Sequence, residues 1–61
     1  MNVVFRERDG VVIGVSDHGR RWRVTRAASG WRLDFRDTGD VRATYAGTFG
    51  SLAAAINEAR R

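Results

Sequence analysis

The chain contains no cysteine, no proline and no lysine, and it has a single histidine. Without cysteine it can form neither a disulfide nor a thiolate metal site, which is compatible with the reducing cytoplasm where we expect it to act. Without proline, no segment is excluded from a β-strand. The N-terminal sequence MNVVFRERDG carries charge by its sixth residue, so we expect neither a signal peptide nor a membrane span.

The composition describes one small, basic, globular domain. Sixty-one residues lie near the lower limit for independent folding, and a hydrophobic content of 43% is typical of a packed protein. The 11 basic residues are all arginine, and acidic residues reduce the net charge to +4. A GC-rich genome favours arginine codons, and arginine also suits recognition of phosphates and base edges. Both explanations stay open.

Regularly spaced turn signals predict a β-meander. Asp9-Gly10, His18-Gly19, Ser29-Gly30 and Thr38-Gly39 recur about every ten residues along the chain. They predict five short antiparallel strands at residues 2–7, 11–16, 20–27, 31–36 and 41–47. The predicted organisation of the single domain 1–61 is an N-terminal hairpin at 1–17, a three-stranded sheet at 20–47 and a helix at 51–61. The fold class is therefore α+β, with the helix packed on one sheet face.

Hydrophobic periodicity predicts which side chains form the core. The third and fourth strands alternate, so we expect one buried and one solvated face. After Ser51, a plausible N-cap, apolar residues follow the spacing of one helical face. We expect a common core of Trp22, Val24, Trp31, Leu33, Phe35, Leu52 and Ile56.

No combination of side chains indicates catalysis. The single histidine, His18, stands in a predicted turn beside Asp17, without a second metal ligand or a nucleophile at suitable spacing. The glycines mark turns and do not form a phosphate-cradling loop. We therefore expect that the chain is not an enzyme and has no catalytic residue, metal site or cofactor.

The pattern with the clearest functional meaning is an arginine stripe on the predicted solvated face. Arginines on a short antiparallel sheet can enter the DNA major groove, which admits a narrow β-ribbon. This predicts a module for double-stranded DNA, such as a small regulator from a phage or bacterium. Its expected DNA-contacting residues are Arg21, Arg23, Arg32, Asp34, Arg36 and Arg42. The alternatives are a solvated sheet face, and a small protein-interaction module or inhibitor that uses its sheet edge or apolar hairpin.

Residues 21–61 resemble two related kinds of DNA-binding domain. The segments RVTR at 23–26, GWRLDFRD at 30–37 and GTFGS at 47–51 are similar to the plant GCC-box-binding, ethylene-response-factor domain and to the arm-type domain of tyrosine recombinases. The resemblance implies a three-stranded sheet, packed on one helix, that lies in the major groove. It also implies DNA contacts by Asp34 and Arg36. Tyr45 replaces a tryptophan of the family, and Ala53-Ala54 replaces an acidic pair.

The apolar N-terminal hairpin raises a question of coverage. Five strands form a sheet at least about 20 Å wide, whereas one helix is about 10 Å wide. Either the sheet curls and buries the hairpin within the chain, with Gly14 permitting the bend, or a second copy covers it. We expect a homodimer, because large exposed apolar patches usually mark interfaces. The expected interface residues are Val3, Phe5, Val11 and Ile13.

Overall fold

A computed structural model describes residues 3–61. The strands are β1 (Val3–Arg8), β2 (Val11–Ser16), β3 (Arg21–Ala27), β4 (Gly30–Arg36) and β5 (Thr44–Phe49), followed by helix α1 (Leu52–Ala59). All five strands form one antiparallel sheet in sequence order, and α1 packs on one face of it. The predicted meander with one C-terminal helix is confirmed. Asn2, the predicted start of the first strand, lies outside the described residues.

Two tight turns fix the register of the outer and central hairpins. Asp9 and Gly10 both have positive φ, at 53° and 79°, as the two-residue turn that suits a twisted hairpin requires. The β3–β4 turn is formed by Ala28 and Ser29, one residue earlier than predicted. Gly30 instead opens β4 with a φ of 143°, a conformation open essentially to glycine alone.

The prediction for the fifth strand was wrong at its start. Expected at 41–47, the strand begins at Thr44 and continues to Phe49. The backbone N–H of Asp37 donates to the carboxylate of Asp40 over 3.0 Å, and the Asp40 N–H donates to the Asp37 carbonyl over 3.0 Å. These bonds give the chain a local turn that competes with strand pairing. Val41 is consequently 88% exposed in the connecting loop.

The helix begins where it was predicted, and most of its predicted apolar face packs on the sheet. Ser51 caps it, with its hydroxyl accepting from the Ala54 N–H over 3.1 Å. The buried side chains of the helix are Ala55 and Ala59, with Leu52 half-buried on the same face. The small size of the two alanines lets the helix backbone approach the sheet closely. The helix ends at Ala59, two residues before its predicted end.

One core joins the helix to strands from both ends of the sheet. Val24 and Leu33 are completely buried at its centre, and Trp22 is 7% exposed. Trp22 packs on Phe35 with ring centroids 5.2 Å apart. Trp31, Phe35 and Leu52, also expected in the core, are half-buried and pack against this centre. Ile56 is half-buried but is not part of the core cluster, so its predicted place there was wrong.

The N-terminal hairpin contributes to the same core, contrary to the expectation of a single exposed apolar patch. Val3 is only 4% exposed, and Phe5 packs directly over Gly14, where a Cβ would lie 2.6 Å from its ring. The Arg60 guanidinium donates to the Val3 carbonyl over 3.2 Å and lies 5.6 Å from the Phe5 ring centroid. The chain therefore covers this side of the hairpin itself.

The four residues predicted to form a dimer interface do not lie on one surface. Val3 and Phe5 face the helix, whereas Ile13 faces the opposite side of the sheet and is 39% exposed. Val11 is half-buried. Because successive strand residues point to opposite faces, Val3 and Phe5 cannot share one surface with Ile13, and the predicted interface set needs this correction.

Candidate nucleic-acid interface

The sheet face opposite the helix, called the open face below, collects side chains by strand alternation. Its register follows from the pairing: Ile13 lies opposite Arg23, and Arg23 lies opposite Asp34. Asp34 in turn lies opposite Tyr45. These positions have the opposite parity to the buried Val24 and Leu33, so they project away from the core.

Arginine dominates the open face. Six exposed arginines project from it, on strands β1, β3 and β4: Arg6, Arg8, Arg21, Arg23, Arg32 and Arg36. Among the described residues, Asp34 is the only acid with the same parity; the other acids lie in loops, on the helix or on the other face of β1. The positive charge is thus concentrated on one side of a protein whose net charge is only +4.

Arg32 is held in place by two neighbours. Its Nε donates to the Asp34 carboxylate over 3.1 Å, and its guanidinium lies 4.9 Å from the centroid of the Tyr45 ring. The Tyr45 hydroxyl shares a 2.7 Å hydrogen bond with the Thr48 hydroxyl. The Asp34 side chain is only 14% exposed, so it orients Arg32 more than it presents itself to a ligand. The terminal amino groups of Arg32 stay available for a planar, bidentate contact.

Three arginines beside this cluster have no carboxylate partner within residues 3–61. They are Arg21, Arg23 and Arg36, and none takes part in an ion pair or places its guanidinium over an aromatic ring. Arg21 and Arg36 stand directly opposite each other across β3 and β4. The sequence predicted that four of these arginines share one surface. The structure places all four on the open face, namely Arg21, Arg23, Arg32 and Arg36.

Arg42 does not lie on a strand of this face. It was predicted on the sheet face, but it lies in the bend before Thr44, where the chain has not yet paired with β4. The turn between Asp37 and Asp40 moves the start of β5 and removes Arg42 from the strand alternation that the prediction assumed.

The β1–β2 hairpin adds residues that sequence reasoning did not assign to the site. Arg6 and Arg8 share the open face with Val4, Ile13 and Val15. Val4 and Val15 are 63% and 49% exposed. Arg6 and Arg8 are two residues apart in β1, which places them on the same face of the strand. The sequence did not show which face this was, because the hairpin has apolar residues on both faces.

At one end of the sheet, a different arginine stabilises the fold. Arg20 makes a two-pronged contact with Asp37, through bonds of 2.7 Å from Nε and 3.0 Å from Nη2, and stacks 4.1 Å from the Phe35 ring centroid. The hydrogen bond from Arg20 lowers the pKa of Asp37, and the same bond raises the pKa of Arg20. Arg20 is thereby occupied within the fold.

The lowered pKa of Asp37 predicts a loss of stability in acid. A carboxyl with a depressed pKa stabilises the folded state above its unfolded pKa, and this contribution disappears as the pH falls through the folded pKa. We expect the midpoint temperature of thermal unfolding to decrease as the pH is lowered from about 5 to about 3. Asp37→Asn should reduce that decrease. Asp9→Asn is the control, because Asp9 has no ion pair within residues 3–61. Equal pH profiles for Asp37→Asn and Asp9→Asn would contradict this prediction.

Other chemistry is sparse in the part of the chain that the structure describes. The His18 side chain is 76% exposed beside Asp17, in the turn where it was expected. No group of three potential metal ligands occurs among residues 3–61, and no helix within that range is long and apolar enough to cross a membrane.

Comparisons with known proteins give no match for this chain. No protein-family model, no curated protein and no solved structure is significantly similar to it.

Proposed function

We propose that the chain binds double-stranded DNA through the open face. The observation that carries the proposal is the concentration of exposed arginines there, where the single acid among residues 3–61 is already paired with Arg32. A one-sided basic surface of this kind is the electrostatic footprint of a nucleic-acid-binding domain. A cytoplasmic location belongs to the same proposal.

The dimensions of the sheet fit this use. The outer two of three adjacent strands lie about 10 Å apart, and the major groove is about 12 Å wide. Strands β3–β5 could therefore enter the groove with Arg23 and Arg32 near the base edges. Arg6, on a strand about 10 Å from β3, would then lie over the phosphate backbone. The resemblance of residues 21–61 to sheet-type DNA-binding domains, which the comparisons do not test, would imply the same orientation.

Binding to duplex DNA should be strongly salt-dependent. We expect measurable affinity for random-sequence duplex at about 50 mM salt and a steep decrease at about 200 mM, because phosphate contacts release counterions. Single replacements Arg23→Ala, Arg32→Ala and Arg36→Ala should each weaken binding in a fluorescence-anisotropy titration. Arg61→Ala is the matched control, since Arg61 pairs with Glu58 on the helix. A folded protein that binds no duplex at low salt would remove the proposal.

A second candidate function is protein binding, in which the partner is a second copy of the chain. The observation that favours it is the exposed apolar group Val4, Ile13 and Val15 on the open face. This group replaces the interface first predicted from sequence. The flanking Arg6 and Arg8 would meet their own counterparts across a two-fold axis, and such like-charge contacts are unfavourable.

Salt distinguishes the two functions. A homodimer through this apolar group should strengthen as salt screens its arginines, whereas DNA binding should weaken. Light scattering at micromolar concentration gives the mass directly. A mass near 6.8 kDa at both low and high salt would exclude the homodimer.

A further inference from the structure

The facing pair Arg21 and Arg36 carries an inference about what the open face binds. These residues are direct neighbours across two antiparallel strands, where the Cβ atoms of facing residues lie about 5 Å apart and like charges are destabilising. No carboxylate within residues 3–61 forms an ion pair with either of them. The fold thus retains an electrostatic cost at this position that no ion pair within residues 3–61 offsets.

The same pair borders a concavity. A shallow depression of about 210 Å³ opens on this part of the sheet, and its lining includes Arg21, Arg23, Arg36 and Asp34. Three guanidinium groups thus surround one recess, and the carboxylate in its lining, Asp34, is already paired with Arg32. An anion placed there would offset the repulsion between the two facing arginines.

We propose that Arg21 and Arg36 form a binding site for one backbone phosphate of the nucleic acid, a refinement that rests on the proposed function. A guanidinium presents a planar fork that matches phosphate oxygens, and two facing guanidinium groups can hold one phosphate from both sides. Neither charge takes part in an ion pair within residues 3–61, so both are available to the phosphate.

The site differs in kind from that of Arg32. Because Asp34 already pairs with Arg32 and Tyr45 stacks on it, the charge of Arg32 is partly compensated and its plane is fixed. Such an arginine is suited to a directional contact with a base edge. Arg21 and Arg36 lack both restraints, so they provide the sequence-independent attraction that positions the protein on the duplex.

The substitution Arg36→Glu tests this site because it should move stability and binding in opposite directions. It converts the repulsive pair into an Arg21–carboxylate pair, so the thermal midpoint of the free protein should rise. Affinity for a duplex should fall by at least about tenfold, and the slope of log affinity against log salt should become shallower by about one to two. Arg36→Gln, which removes the charge without reversing it, should have intermediate effects on both.

Two controls separate this inference from the proposed function. Arg61→Glu makes the same change in net charge on the helix, away from the open face, and should affect duplex affinity much less than Arg36→Glu. Titration of the wild type with inorganic phosphate, followed by NMR, should shift signals of residues 21, 23 and 36 selectively, and Arg36→Glu should abolish those shifts.

The outcomes assign failure to one idea or the other. If the wild type binds duplex but Arg36→Glu and Arg61→Glu weaken it equally, the phosphate site is wrong and DNA binding stands. If phosphate gives the selective shifts but no duplex binds at low salt, the site stands as an anion site and the DNA function is wrong. A lower thermal midpoint for Arg36→Glu would overturn the repulsive pair on which the inference depends.

Discussion

Replacing Gly30 by alanine should leave the chain largely unfolded. Gly30 has a φ of 143°, and a Cβ added there would overlap the carbonyl oxygen of Phe49 and approach its carbonyl carbon to 3.1 Å. Both obstacles are backbone atoms of the neighbouring strand, so relief requires β4 and β5 to separate. Backbone strain alone costs about 1–3 kcal/mol, and the overlap adds to it. A domain of this size has only about 3–9 kcal/mol of stability in total.

The adjacent Gly50 provides the matched control. A Cβ at Gly50 would meet no atom within 4 Å, so Gly50→Ala should be neutral or slightly stabilising through its effect on the unfolded chain. Circular dichroism and thermal unfolding of the two variants measure the difference. Gly30→Ala with a midpoint equal to that of Gly50→Ala would show that β4 and β5 are not in contact as described.

The open face on β3 and β4 could be predicted from sequence because strict alternation determines facing. Once Trp22 and Leu33 are assigned to the core, Arg21, Arg23 and Arg32 must point the other way. No tertiary information was needed for this step. The helix was equally accessible, since Ser51 and the spacing of the apolar residues define its start and its buried face.

Facing could not be predicted where alternation is interrupted. On β5, the pairing moves from Leu33–Gly47 to Asp34–Tyr45, which leaves Ala46 as an extra residue. This bulge reverses parity, so Tyr45 lies on the same face as Asp34 and Arg32. The apolar hairpin posed a different difficulty, because apolar residues on both of its faces give no indication of which one the helix covers.

The largest effect on binding should come from the triple variant Arg23→Gln, Arg32→Gln and Arg36→Gln. Each contact with the DNA is worth about 1–3 kcal/mol or removes about one from the salt slope. Three together should therefore lower duplex affinity by at least about a hundredfold. Glutamine is chosen because its amide at position 32 can still donate to Asp34, whose side chain is only 14% exposed.

The control for this prediction is a second triple variant that loses the same charge at positions outside the arginine-bearing positions of β1, β3 and β4 on the open face. Arg26→Gln, Arg42→Gln and Arg61→Gln serve this purpose. Arg26 stacks 4.9 Å from the Trp31 ring centroid on the other face, Arg42 lies in the β4–β5 loop, and Arg61 pairs with Glu58. Thermal unfolding first verifies that both proteins fold. If DNA lies on the open face, the second variant should lose only the small, nonspecific share of affinity that accompanies lower net charge. Equal losses would mean that the chain attracts DNA by overall charge, and the arginine face would have no special role.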